Sequence, residues 1–243
     1  MQEIPWLIIL IIFLASAVFA TFGFGDALLA MPFLSILLGV HKATPLLALC
    51  GFTLAISLIG TSFKHIDWRE ALKLMLGSFL GVPIGVYILK HGDDRNIRIA
   101  VGVVIISIAL YNLFRPQLKQ LNSQWLAPFA GFAGGMLGGL FNTSGPPVVI
   151  YGATRQWSPV MFVGMMQAYF IPTDIFVIVG HLKSGLLNRE VFLLYAWCFP
   201  FLIGAVALGN LIKRRISVLR FQKGVFIIIL ISGLMLVIKS LFT

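Results

Sequence analysis

Runs such as Val191 to Ile212 and Leu219 to Leu241, which hold only three charged side chains between them, leave this chain one solvent in which to fold. Inside a bilayer every backbone N–H and C=O must be satisfied by the protein itself, so only helices and closed barrels span it. The runs are long, contain Gly and Pro, and are separated by short charged loops. Alternating ten-residue strands are absent, so a β-barrel is not expected. Charged residues make up 11% of the chain and hydrophobic ones 59%, far from the roughly one quarter charged of a soluble domain. The expectation is an all-α polytopic membrane protein. No segment is long enough to form a soluble catalytic domain. A net charge of +10 would suggest nucleic acid in a soluble protein. Here Lys and Arg sit between apolar runs, where topology and anionic lipid headgroups account for them, and no nucleic-acid partner is implied. The first run starts after Glu3 without a basic leader or a small-residue cleavage site, and reads as a retained helix.

One stretch breaks the pattern. Phe141-Asn142-Thr143-Ser144-Gly145-Pro146-Pro147-Val148-Val149-Ile150-Tyr151 places helix-start chemistry inside apolar surroundings. Asn142, Thr143 and Ser144 have side-chain oxygens suited to capping free N–H groups, and Pro146 and Pro147 suit a first helical turn. An interrupted backbone at membrane depth belongs where it is buried in protein or lines a wet cavity. A helix N-terminus there offers unpaired donors and the positive end of a dipole, which favours an anion. A proline kink or an ordinary loop is the plainer alternative.

A second break lies upstream, Thr21-Phe22-Gly23-Phe24-Gly25-Asp26 running on to Pro32. Aligning Gly25 with Gly145 sets an offset of 120 residues, and that offset also places Arg69-Glu70 on Arg189-Glu190. Duplication is the economical explanation. The expected plan is two repeats, 1–120 and 121–243, each a broken helical hairpin plus three transmembrane helices. In the first repeat the hairpin comprises Trp6 to Ala20 and Ala27 to Val40, and the spans are Thr44 to Phe63, Ala71 to Leu89 and Ile97 to Phe114. In the second the hairpin begins at Trp125 to Phe141 and Pro146 to Tyr151, and the spans are Val160 to Gly180, Val191 to Ile212 and Leu219 to Leu241. If each hairpin returns to its own side, the repeats are inverted. Lys64, Arg69, Lys73, Arg115, Lys119, Arg155, Lys213, Arg214, Arg215, Arg220 and Lys223 then share one face. That face carries the basic excess, so the positive-inside rule makes it cytoplasmic and puts both termini on the other side.

Two carboxylates, Asp26 and Asp174, fall within apolar spans. Intramembrane charge is costly and reads as functional by default, with helix capping or an interhelical contact as the structural alternative. Asp174 shares a helical face with Gln167. Thr53, Ser57 and Thr61 recur at four-residue intervals, a small polar face that suits close packing more than ligand contact. Gly77, Gly81 and Gly85, the cluster Gly131, Gly134, Gly135, Gly138 and Gly139, and Gly204 likewise permit close helix approach. Cys50 and Cys198 lie in apolar segments without C-x-x-C spacing and read as packing residues. His41, His65, His91 and His181 fall at helix ends without metal-ligand spacing, so no metal site is expected. Nucleotide-binding and hydrolase motifs are absent, so neither a cofactor nor an enzymatic role is expected.

The two broken elements, Gly23-Phe24-Gly25-Asp26 with Pro32, and Asn142-Thr143-Ser144-Gly145-Pro146-Pro147-Val148-Val149-Ile150-Tyr151, resemble those of the sulfite exporter TauE/SafE family of membrane permeases. Size and paired-half layout fit along nearly the whole chain. Family members typically carry a run of glycines where this chain has Gly25-Asp26-Ala27. The resemblance implies secondary transport of a small anion, with sulfite and organosulfonates as the associated cargo, in the bacterial cell membrane. The expected partners are that anion and the lipid bilayer. The expected anion site is Gly23, Gly25, Asn142, Thr143, Ser144 and Gly145, between the two breaks near the midplane. Asp26 is the expected proton site with Asp174 second, and Gln167, Thr53 and Ser57 are secondary candidates. A sulfur-handling factor or enzyme using a buried cysteine, and a scaffold without cargo, are the competing readings.

Overall fold

The computed structural model describes residues 4–60, 63–114, 120, 123–215 and 218–242. Among these are ten α-helices: α1 (Ile4–Phe22), α2 (Asp26–Leu38), α3 (Val40–Ile59), α4 (Trp68–His91), α5 (Asp94–Phe114), α6 (Ala127–Phe141), α7 (Gly145–Thr154), α8 (Pro159–Ser184), α9 (Arg189–Arg215) and α10 (Val218–Phe242). Six of them, α3, α4, α5, α8, α9 and α10, are long and apolar enough to cross a membrane, while α1 and α2 carry shorter apolar stretches. The chain is a multi-pass integral membrane protein. The expected element order is present, with most boundaries moved by a few residues. Arg115, Lys119 and Thr61 lie outside the described residues.

Local chemistry sets the helix ends. Asp67 accepts bonds from the N–H of Arg69 and Glu70, both at 3.1 Å, and so starts α4. Ser158 does the same for α8 through the Met161 N–H, and Gly185, at φ 78°, ends that helix in the left-handed conformation.

The helices pack at backbone distance where glycines allow it. Along α4, a Cβ on Gly77, Gly81 or Gly85 would fall on the carbonyl oxygens of Pro128, Phe132 and Met136. From α6, Gly131, Gly135 and Gly139 press in return on the backbone of Leu74, Ser78 and Val82. Similar seams join α9 to α1, where Gly209 meets Ala17 and Ala20, and α5 to α10, where Gly102 meets Gly233 and Val237. Packing without side chains in between is how helices associate when surrounding lipid is as apolar as they are.

Polar contacts fix where the short helices begin and end. Lys73, near the start of α4, donates to Gln124 just before α6 at 2.7 Å. Glu70, in the first turn of α4 and 1% exposed, accepts from the Tyr151 hydroxyl and, at 2.8 Å, from Arg155 Nε, just past the end of α7. The α6–α7 hairpin is thus tied at both open ends to the start of α4. The other short helix, α2, runs to the opposite end of α4. Its end adjoins Val40, whose N–H bonds Asp94 at the start of α5 at 3.0 Å, and Lys42 meets Glu190 at the start of α9 at 2.8 Å.

Burial separates the two ion pairs. Removing one partner of a buried pair leaves the other without compensation and costs a few kcal/mol, whereas exposed pairs contribute about 0–1 kcal/mol. Side-chain exposure is 18% and 1% for Arg155 and Glu70 but 40% and 58% for Lys42 and Glu190. Glu70→Ala is expected to lower unfolding stability in detergent by about 3 kcal/mol, and Glu190→Ala by less than about 1 kcal/mol. Equal losses would mean that burial does not set the strength of these contacts.

Candidate functional site

Two breaks meet in the interior. At the first, α1 stops at Phe22 and α2 starts at Asp26, with Gly23 at φ 85° and Gly25 at φ 102° making the reversal. Only glycine takes such angles at little cost. At the second, Asn142 adopts φ 55° and its N–H closes α6 on the Gly138 carbonyl at 2.8 Å. Asparagine is among the few other residues that tolerate this conformation.

The residues expected to cap α7 do something else. Asn142 is the C-cap of α6, Thr143 turns its hydroxyl to the Phe141 carbonyl at 3.2 Å, and Ser144 occupies the N-cap of α7 without a side-chain capping bond. The start of α7 is therefore not sealed by its own side chains. Pro146 and Pro147 remove two first-turn donors, leaving the Gly145 N–H there. α2 is richer: the N–H groups of Asp26, Ala27 and Leu28 all precede its first intrahelical bond, from Leu29 to the Gly25 carbonyl at 3.2 Å.

Both helix starts open on one small cavity. It is lined by Gly25, Asp26, Ala27 and Leu28 from the first break, Asn142 to Pro146 from the second, Gly51 of α3, Asp174 of α8, and Phe19, Phe24 and Phe170. Three polar side chains converge above Gly51. A Cβ there would stand 3.3 Å from Asn142 Nδ2, 3.5 Å from Asp26 Oδ2 and 3.7 Å from Asp174 Oδ2. No lysine, arginine or histidine is among the lining residues. Asp26 is the first residue of α2, so its carboxylate sits at the end of the helix where the donors are open. Its Oδ2 and the Asn142 Oδ1 are buried without a hydrogen-bond partner.

Gln167 stands behind the first break rather than in the cavity. Fully buried, it donates from Nε2 to the Gly23 carbonyl at 3.1 Å and so holds the tip of the α1–α2 hairpin. Gly23 is likewise a tip residue and not a lining one. Thr53 and Ser57 are directed elsewhere: the Thr53 hydroxyl is 2.7 Å from that of Tyr195 and bonds the Leu49 carbonyl, and Ser57 bonds Leu54 on an exposed face. Cys50 and Cys198 are buried and free, and neither lines the cavity. His181 sits in the last turn of α8 but is fully buried, with no partner on either ring nitrogen. Among the described residues no three His, Cys, Asp or Glu side chains group as metal ligands would.

Gly51, Phe19 and Phe170 line the cavity but did not stand out in the sequence. Gly51 gave a weak signal, a lone glycine within a span. The two phenylalanines gave none, since aromatic residues abound in all the runs.

The profile of the sulfite exporter TauE/SafE family matches residues 8–236. A curated relative, the probable sulfite/organosulfonate exporter TauE of Cupriavidus necator, is 26% identical over 151 residues, covering 60% of this chain and 59% of the relative. The matched region thus spans somewhat over half of that protein's length. No solved structure matches. With the family profile running from within α1 to within α10, across both breaks, the chain belongs to the sulfite exporter TauE/SafE family.

Proposed function

We propose that this protein is a secondary transporter of small sulfur-containing anions such as sulfite, with the cargo held between the two helix breaks. One observation carries the reading: two helix starts and the Asn142 amide converge on one buried cavity that no basic side chain lines. The positive ends of α2 and α7, open backbone donors and neutral side chains suit an anion that must be released again. Family membership and the name of the Cupriavidus necator relative support the same cargo class. Cys50 and Cys198 lie off the cavity, which weighs against cysteine chemistry on the cargo.

Asp26 makes the binding proton-dependent. Ionised, its carboxylate occupies donors of α2 and, with Asp174 beside it, repels an incoming anion. Protonated, it releases those donors and can itself donate a hydrogen bond. Proton and anion thus enter together, with Asp174 as the second proton site. Direction follows the gradients.

The two halves, 1–120 and 121–243, are read as inverted repeats. Shifting α1 to α5 by 120 residues lays each over part of its counterpart among α6 to α10. α4 then pairs with α6 as α9 pairs with α1, and α5 pairs with α10. Such halves can rock about a fixed site to expose it to one side and then the other.

Single cysteines at Ser123 and Gln156, in a background lacking Cys50 and Cys198, are expected to label from the same side of the membrane, and one at Ser184 from the other. Labelling of the first two from opposite sides would show parallel repeats. In proteoliposomes, Asp26→Asn is expected to keep anion-for-anion exchange but lose accumulation driven by a proton gradient. If the residue were only a helix cap, Asn would serve nearly as well, and unchanged proton-driven uptake would overturn the coupling role. Gly145→Leu is expected to abolish exchange. Its Cβ would already touch Phe170, Met166 and Phe24 at 3.4 to 3.6 Å, so a branched side chain must fill the cavity. Thr143→Ala should weaken binding by about 1 kcal/mol. Wild-type exchange in Gly145→Leu would make the second break purely structural.

A further inference from the structure

Resting on the anion site proposed above, we infer that Phe24 sets an upper limit on cargo size, so that this chain carries small inorganic sulfur oxyanions and excludes sulfonates with a bulky organic group. Inside the cavity the centre of a water molecule can move through only about 20 Å³. One water needs roughly 10–15 Å³ by that measure. The space therefore suits an anion of one central atom and its oxygens, with no room for an aromatic ring.

A second chamber, open at the surface where Ser107 and Ile150 are exposed, adjoins the cavity across Phe24 and Pro146. The same measure gives it about 150 Å³, and it is lined by Phe24, Ser107, Ile108, Tyr111, Asn112, Pro146, Val149 and Ile150. Phe24 and Pro146 line both spaces. Pro146 is fixed in the first turn of α7, so Phe24 is the replaceable part of the partition. Its position is tightly set. It stands between Gly23 and Gly25, both left-handed, is 6% exposed, and packs edge-on against Phe162 with ring centroids 5.9 Å apart. Beyond it the chamber combines apolar Ile108, Val149 and Ile150 with the polar side chains of Ser107, Tyr111 and Asn112, surroundings suited to the organic portion of a sulfonate. A transporter that closes both helix breaks on its cargo must fit the whole cargo when closed. A sulfonate of benzene size would need both spaces at once, and Phe24 keeps them apart.

The test compares exchange of labelled sulfite against external sulfite, methanesulfonate and benzenesulfonate in proteoliposomes, read as the ratio of rates. Wild-type protein is expected to exchange against benzenesulfonate at least about tenfold more slowly than against sulfite, with methanesulfonate between. Phe24→Ala should raise the benzenesulfonate-to-sulfite ratio by about tenfold or more. Adding Ser107→Trp, to fill the chamber from α5, should bring the ratio back towards wild type. If Phe24→Ala does not fold, Phe24→Leu is expected to shift the ratio in the same direction by less. Equal wild-type rates for sulfite and benzenesulfonate would overturn the proposal, as would an unchanged ratio in whichever Phe24 variant folds. No sulfite exchange by the wild type would instead contradict the underlying anion-transport reading.

Discussion

A helix that stops inside a bilayer leaves backbone donors and acceptors that only the protein can satisfy, and this structure depends on where it puts two such stops. Both are placed inside the bundle, and both face the same small cavity. Their open N–H groups and dipole ends supply positive potential without a lysine or arginine. That matters for a carrier, since a buried cation would hold an anion more tightly than a site that must also release it.

Holding the stops in register requires rigid neighbours. The α4–α6 seam provides this through backbone contact along three pairs of facing turns, from Gly77 against Pro128 to Gly85 against Met136. Packing of that kind slides poorly, because any bulge would drive an atom into a carbonyl. Glu70 then pins the open end of the α6–α7 hairpin through Tyr151 and Arg155. On the other hairpin, Gln167 holds Gly23 at the tip.

How far the sequence alone reached differs from residue to residue. The helix count and order were readable because long apolar runs between charged loops have one physical meaning. The breaks at Gly25 and Gly145 were readable because glycine and paired prolines interrupt helices whatever surrounds them. The role of Asn142 was not: side-chain chemistry alone allows it to cap the following helix or to close the preceding one, and its positive φ decides for the latter. Thr53 and Ser57 illustrate a different limit. Their spacing defines a helix face but says nothing about the partner, and Tyr195, 142 residues away in sequence, takes the Thr53 hydroxyl. Gly51 was hidden for the same reason, since its importance comes from the three side chains that the tertiary fold places above it.

The central claim is that one anion and at least one proton occupy the cavity together, and the most direct measurement is proton uptake on binding. Thiosulfate keeps a constant charge over the accessible range, so any pH dependence of its binding belongs to the protein. Titrating purified protein with thiosulfate in weak buffer is expected to draw protons from solution, with affinity falling as pH rises and the effect much reduced in Asp26→Asn. Binding without proton uptake, at an affinity independent of pH, would contradict the joint occupancy on which this mechanism rests.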